Sequence, residues 1–213
     1  FHNIIELGGG EPLFHKEIDK IVAHITLEAQ KNVHISTNAT HIPQLLCELP
    51  KEAREKTTIQ VSLHASYAKL FGEITSNESL FDRVIENIPV FKKHFKTAIN
   101  TVVYSKNFSD VPNIVDLVHK YDLAHRINLA MPIGAGKNVL LLNSAQISDL
   151  TSYLMAQKSS GKKIESPLLR INNCPVLAQA YGIPKTGACP LESNSKLYFN
   201  PKSNCGCEFL PEK

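Results

Sequence analysis

Apolar residues recur along the chain in two alternating rhythms. Short runs of strand character lie at His2–Leu7, Val33–Thr37, Ile59–Leu63, Ala98–Tyr104 and Arg126–Met131. Between them the apolar positions return at helical spacing. Ile18, Ile21, Val22 and Ile25 share one helix face, as do Leu80, Val84, Ile88 and Phe91, where Pro89 is predicted to kink or shorten the helix. Ile114, Val115 and Val118 form a third stripe, with Ser109 or Asp110 as N-cap and Pro112 in the first turn. Leu150 and Leu154 belong to a fourth, after Ser144. Strand alternating with helix is the pattern of βα units around a parallel sheet. After Gly161 the pattern stops, and Pro, Gly, Asn and Cys replace helical periodicity. Two domains are therefore predicted, an α/β domain at 1–161 and a small Cys-rich one at 162–213.

Composition adds limits. The 213 residues are 43% apolar, enough for one core and a small appendage. The net charge of +3 is spread over mixed signs, which argues against a nucleic-acid stripe. No apolar run approaches the ~20 residues of a membrane span, and no signal peptide opens the chain. A cytoplasmic location is expected. Phe1 opens on a predicted strand, so the chain reads as a fragment or the ordered part of a longer one.

The cysteines are unevenly placed. Cys47, among Leu45, Leu46 and Leu49, reads as a buried apolar residue. Cys174, Cys189, Cys205 and Cys207 all lie near the C-terminus, around a predicted short hairpin, KLYFNPKSN. In a reducing compartment such clustering points to metal. Four thiolates on a loop-rich domain suit an iron–sulfur cluster or tetrahedral zinc.

In parallel α/β folds ligands gather at the C-terminal ends of the strands. The first strand is followed by Gly8-Gly9-Gly10-Glu11-Pro12 and the second by Ser36-Thr37-Asn38. The third carries Ser62 and His64 on one face, and the fourth carries Asn100. The fifth ends in Met131-Pro132-Ile133-Gly134. Bare backbone and small polar groups at every edge describe a cradle for a flat, polar ligand. Glycines let a ligand reach the main chain, and Glu11 would suit an ammonium group. A tight turn with a solvated Glu11 is the alternative. No nucleophile–base pair is evident. His15, His24, His34, His41 and His119 show no ligand spacing, and Lys137 reads as solvated.

GGGEPLF, then HISTNAT, VSLHAS, INTVVYSKNFSDVPNIVDLVHKYDL and INLAMPIGAGK, together resemble a radical S-adenosylmethionine (SAM) enzyme with a C-terminal auxiliary iron–sulfur domain of the SPASM or twitch kind. The resemblance implies a partial (β/α)6 TIM-like barrel lacking its first βα unit. It implies that Gly9, Gly10, Glu11 and Pro12 hold the methionyl amine of SAM. Ser62, His64, Asn38 and Asn100 would approach its carboxylate and ribose, with Tyr67, Lys69 and Thr75 as further carboxylate candidates. Met131, Pro132 and Ile133 would lie near the adenine. Cys174, Cys189, Cys205 and Cys207 would hold one auxiliary [4Fe–4S] cluster. The family's CxxxCxxC loop, which holds the SAM-cleaving [4Fe–4S] cluster, does not occur in these residues. The chain alone is therefore expected to be inactive.

The implied activity is cleavage of SAM to a 5′-deoxyadenosyl radical that abstracts hydrogen from a substrate. The implied substrate is a peptide or protein under modification, with a small molecule as the alternative. The implied electron donor is a flavodoxin or ferredoxin. From other classes, a peptide-binding module with a zinc-stabilised tail fits the absent loop, and a (β/α) metal hydrolase fits less well.

Overall fold

The computed structural model describes residues 3–130 and 140–166. Six strands form one sheet in the order β1-β2-β3-β4-β5-β6. They are β1 (Ile4–Leu7), β2 (Asn32–Thr37), β3 (Thr57–Ser62), β4 (Lys96–Val103), β5 (Ala124–Leu129) and β6 (Ile164–Glu165). The β1–β2, β2–β3 and β3–β4 pairs are parallel. The helices are α1 (Ile18–Ala23), α2 (Gln44–Cys47), α3 (Lys51–Glu55), α4 (Ala68–Thr75), α5 (Phe81–His94), α6 (Val111–Lys120) and α7 (Ser144–Ser159). The fold is thus mostly parallel α/β. No helix among the described residues is long and apolar enough to cross a membrane.

The described residues divide into two compact units, the first made of Asn3–Thr101 with Ser109–Arg126 and the second containing Val102–Phe108 with the described residues from Ile127 onward. In the first unit, alternation along the strands sets the layers. Val33 and Ile35 on β2, Ile59 and Val61 on β3, and Ile99 on β4 are buried against helix residues Val22, Val84, Ile88, Phe91, Ile114 and Val118. The opposite sheet face is polar. There Glu6 lies 3.7 Å from His34, and Arg126 donates to Gln60 Oε1 at 2.8 Å.

Helix α5 is not shortened by Pro89 and continues over 14 residues. Its apolar stripe of Phe81, Val84, Ile88 and Phe91 is buried on both sides of the proline, which outweighs one lost hydrogen bond. Asp110 precedes α6 as expected, but its side chain makes no cap hydrogen bond to that helix. Its carboxylate instead accepts from the Ser66 backbone N–H and hydroxyl, both at 2.7 Å.

In the second unit, Asn107 is fully buried and folds the turn after β4. Its Oδ1 accepts from Tyr104 N, and its Nδ2 donates to the Val102 carbonyl. Helix α7 opens with a reciprocal capping box between Asn143 and Gln146. Strand β6 lacks any sequence signal, being two residues long. The predicted hairpin and the four C-terminal cysteines lie outside the described residues.

A buried polar chain links β4 and β5 to the exit of β3. Thr101 Oγ1 donates to the Leu63 carbonyl at 2.6 Å and lies 2.8 Å from His125 Nε2. The threonine proton is thereby committed, so His125 Nε2 must carry the hydrogen that joins them. His125 Nδ1 has no partner among the described residues. Burial pushes the imidazole from 6.5 down to about 3. The folded protein therefore binds fewer protons than the unfolded chain below about pH 6.5, and stability falls as pH drops from there toward 3. One such histidine removes up to about 1.4 kcal/mol per pH unit. Urea unfolding between about pH 7 and pH 5 should show a shallower loss for His125→Gln than for the wild type, by up to about that slope. Equal slopes would show that the buried imidazole does not set the acid limb.

Candidate SAM-binding edge

The site is built on the C-terminal ends of β1 to β4. Leaving β1, the chain turns through Gly9 at φ +78° and Gly10 at φ +52°, conformations that side chains rarely adopt. A Cβ at Gly8, Gly9 or Gly10 would meet nothing within 4 Å. The glycines therefore do not serve internal packing. They leave the turn open on the side a Cβ would occupy, which lets a ligand's head group approach the main chain.

Glu11 ends this turn, and it is not solvated as the simple turn reading would have it. Its Oε1 accepts from the Thr37 hydroxyl at 2.6 Å and from Leu13 N at 3.1 Å. Its Oε2 accepts from Asn38 N at 2.7 Å. The carboxylate thus ties the exit of β1 to the exit of β2. Of about four acceptor positions on a carboxylate, three are used, leaving one on Oε2 for an ammonium hydrogen. Pro12 begins the 3-10 turn Pro12–Phe14 that Glu11 caps.

Thr37, legible only as one polar residue of the second strand end, has a role that sequence reasoning missed. It is buried, and its hydroxyl both donates to Glu11 and accepts from Ala39 N at 2.9 Å. Ala39 is left-handed, at φ +59°, and its carbonyl accepts from Asn87 Nδ2. Asn38 Oδ1 accepts from Thr40 N and the Thr40 hydroxyl, so its side chain shapes the loop. The pattern NAT after an apolar strand is the signal that could have pointed to this turn.

Ser62 and Asn100 are register partners across β3 and β4. Leu63 N donates to the Asn100 carbonyl at 3.0 Å, extending the pairing past the strand end. His64 follows on the same face as Ser62. Burial holds its imidazole down to about 4, so it is neutral near pH 7 and offers one donor and one acceptor. The Asp110 clamp on Ser66 fixes the loop beyond His64, a second contact with no sequence signal. The structure therefore places Gly9, Gly10, Glu11, Pro12, Asn38, Ser62, His64 and Asn100 at one sheet edge. Thr75 does not belong with them, because its hydroxyl donates to the Phe71 carbonyl within its own helix. Tyr67 is exposed just before α4. Met131, Pro132 and Ile133 lie outside the described residues.

These residues fit a zwitterionic amino-acid head group. The described residues do not fit an iron–sulfur cluster. Cys47 is the one cysteine among them; it is buried, and burial raises its thiol pKa. Among the described residues no group of three His, Cys, Asp or Glu could hold a metal.

The Glu11 bridge yields a stability test. Thr37→Val keeps the shape but removes the hydroxyl, leaving Ala39 N–H and Glu11 Oε1 each short of a partner. Urea unfolding should show a loss of about 1–3 kcal/mol. Thr40→Val, at the rim of the same turn, should lose less than about 1 kcal/mol. Equal unfolding midpoints for Thr37→Val and the wild type would deny the bridge its role.

Comparison with known proteins gives the family of the chain. The family model for the radical SAM superfamily matches residues 2–118. A probable GTP 3′,8-cyclase of Sulfurisphaera tokodaii is 32% identical over 141 residues, covering 63% of this chain and 43% of that protein. A GTP 3′,8-cyclase of Clostridium acetobutylicum is 30% identical over 152 residues, covering 70% and 47%. The chain thus spans less than half the length of these curated relatives. Among solved structures, Streptococcus suis SuiB bound to its precursor peptide SuiA superposes with a TM-score of 0.65 at 19% identity, over 76% of this chain and 38% of that one. Native anSMEcpe with bound AdoMet gives 0.61 at 15% identity, over 87% and 54%. These two likenesses are of fold. The matched family model spans the glycine turn, the Glu11 bridge and the Ser62–His64 edge, and the chain belongs to the radical SAM superfamily.

Proposed function

We propose that this chain is the SAM-binding part of a radical SAM oxidoreductase or maturase. The observation that carries the reading is the open glycine backbone of Gly8 to Gly10, set beside a carboxylate with one acceptor position left. Main-chain carbonyls at Gly9 and Gly10, with Glu11, would accept the hydrogens of the methionyl ammonium. Ser62 and Asn100 would bond the carboxylate and ribose. Neutral His64 would exchange a hydrogen bond with the same groups without adding charge. Asn38 and Pro12 hold the backbone that presents them, and Met131, Pro132 and Ile133 would flank the adenine. SAM, when bound and reductively cleaved, supplies a 5′-deoxyadenosyl radical for hydrogen abstraction.

Two parts of the reading concern segments beyond this edge. Ile4 and Ile5 of β1 are 57% and 38% exposed, although parallel sheets are ordinarily covered on both faces. That exposure supports a further βα unit packing on β1, the unit that in this family bears the CxxxCxxC cluster loop. Residues 162–213, with Cys174, Cys189, Cys205 and Cys207, would form a twitch- or SPASM-like domain holding an auxiliary [4Fe–4S] cluster. A cytoplasmic location and a flavodoxin or ferredoxin donor complete the reading.

The proposed substrate is a peptide or protein, in keeping with the auxiliary-domain branch that the sequence resembles. A second reading, a small-molecule substrate, is favoured by the curated relatives, which are named GTP 3′,8-cyclases.

Calorimetric titration of this polypeptide should detect SAM, with Ser62→Ala weakening it about three- to tenfold, as loss of one hydrogen bond implies. No SAM binding by the folded chain would overturn the proposal. Anaerobic reconstitution with iron and sulfide should load about four irons per chain. That iron should be lost in Cys189→Ala. Zinc, or no metal, would remove the auxiliary-cluster assignment.

A further inference from the structure

At the other end of the same strands lies a feature the SAM reading does not use. A cavity of about 380 Å³ is lined by Lys51, Arg54, Glu55, Lys92, Lys93, His94, Phe95 and Lys96. It opens where α3 leads into β3 and where α5 leads into β4. Lys96 begins β4, and Asn100 of the candidate SAM edge lies four residues on, about 13 Å away at the rise of a strand.

The charge here is one-sided. Five permanent cations face a single carboxylate, Glu55, which pairs with Lys51 at 3.7 Å. Lys92 donates to the Tyr121 carbonyl, which orients it without neutralising it. The described residues give Lys93 and Lys96 no anionic partner.

Complementing the α5 C-terminus is the plain explanation for Lys92 and Lys93. A helix end supplies only about half a negative charge. That cannot balance an excess of four cations, and Lys51, Arg54 and Lys96 are on other elements.

The site also has a fixed part. Arg54 is half-buried, and its Nε donates to the Leu49 carbonyl at 2.9 Å. Its Nη1 lies 3.5 Å from His94 Nδ1. Two of its five N–H donors are thereby engaged, and the plane of the guanidinium is set while three donors remain. The lysines form an adjustable rim around it.

We propose that this basic cavity is a second, separate binding site for a small phosphate-rich anion, such as a di- or triphosphate group. A protein partner fits less well, because interface cores need exposed apolar anchors and Phe95, the lining aromatic, is 6% exposed. The volume lies at the lower end of small-molecule sites. The proposal does not depend on the SAM reading.

The test is calorimetric titration of the full chain with sodium tripolyphosphate at near-physiological salt. One saturable site is expected, weakened about tenfold or more in Lys93→Gln/Lys96→Gln. The pair Lys16→Gln/Lys20→Gln removes the same charge elsewhere and should leave binding unchanged. Equal weakening by both pairs would reduce the effect to net charge and overturn the site, as would absence of saturable binding. A poly-glutamate peptide that binds tighter than tripolyphosphate would overturn it in favour of an acidic protein partner. ATP as a second ligand identifies the source within the proposal. Equal affinity assigns recognition to the phosphates alone, and tighter ATP binding assigns the site to a nucleotide.

Discussion

The β1 and β2 side of the candidate SAM edge depends on one carboxylate. Glu11 receives the Thr37 hydroxyl and the Asn38 and Leu13 N–H groups. These contacts join the exits of β1 and β2 at hydrogen-bond distance. The glycine turn can then stay bare, because its position is fixed from the Glu11 side and not by side chains of its own. A charged acceptor strengthens each bond beyond an ordinary amide contact. In a partly buried place it also makes an unpaired partner costly. The same contacts leave one lone-pair position on the carboxylate, so rigidity and ligand capacity come from one group.

The strands behind this edge are held by a different logic. Alternation puts Val33, Ile35, Ile59, Val61 and Ile99 toward the helices and leaves polar residues on the other face. Because pairing is parallel and in register, Ser62 meets Asn100, and their side chains share an edge without any long-range adjustment. The Thr101–His125 contact locks the Leu63 carbonyl from the helix side, one residue before His64. The Asp110 clamp locks Ser66 two residues after it. His64 is thus positioned from both directions by groups that touch no ligand.

These relations explain what could and could not be read from the chain alone. Five strand cores were legible because apolar alternation and flanking turns are local signals. Of the stretches behind the resemblance, GGGEPLF, HISTNAT and VSLHAS fall together with Asn100 at one sheet edge, while Met131 onward lies outside the described residues. Glu11 was recognised, but its bonding was not, since its main partner lies 26 positions away in Thr37. Ser109 or Asp110 was legible as the N-cap of α6 with Pro112 in its first turn, and Asp110 holds that position, but its side chain bonds elsewhere. The 44-residue reach to Ser66 leaves no pattern in sequence. Pro89 was expected to kink or shorten α5, and buried residues on both sides keep the helix at its full 14 residues. Short β6 carries too few residues to show a period.

The two ends of the sheet are electrostatically distinct. At the C-terminal end the candidate ligand groups carry one charge, the Glu11 carboxylate, which is hydrogen-bonded by three neutral donors. His64 is uncharged near pH 7 because burial holds it near 4. Such an edge suits a zwitterion, whose ammonium can meet Glu11 and whose carboxylate can meet neutral donors. At the N-terminal end, Lys93 and Lys96 stand over a half-buried Arg54 with one carboxylate nearby. That end suits net negative charge. The two ends lie about 13 Å apart along β4. The sheet between them excludes salt and screens charge less than solution does. An anion held at the basic end would therefore reach the SAM edge through its field as well as through the strands.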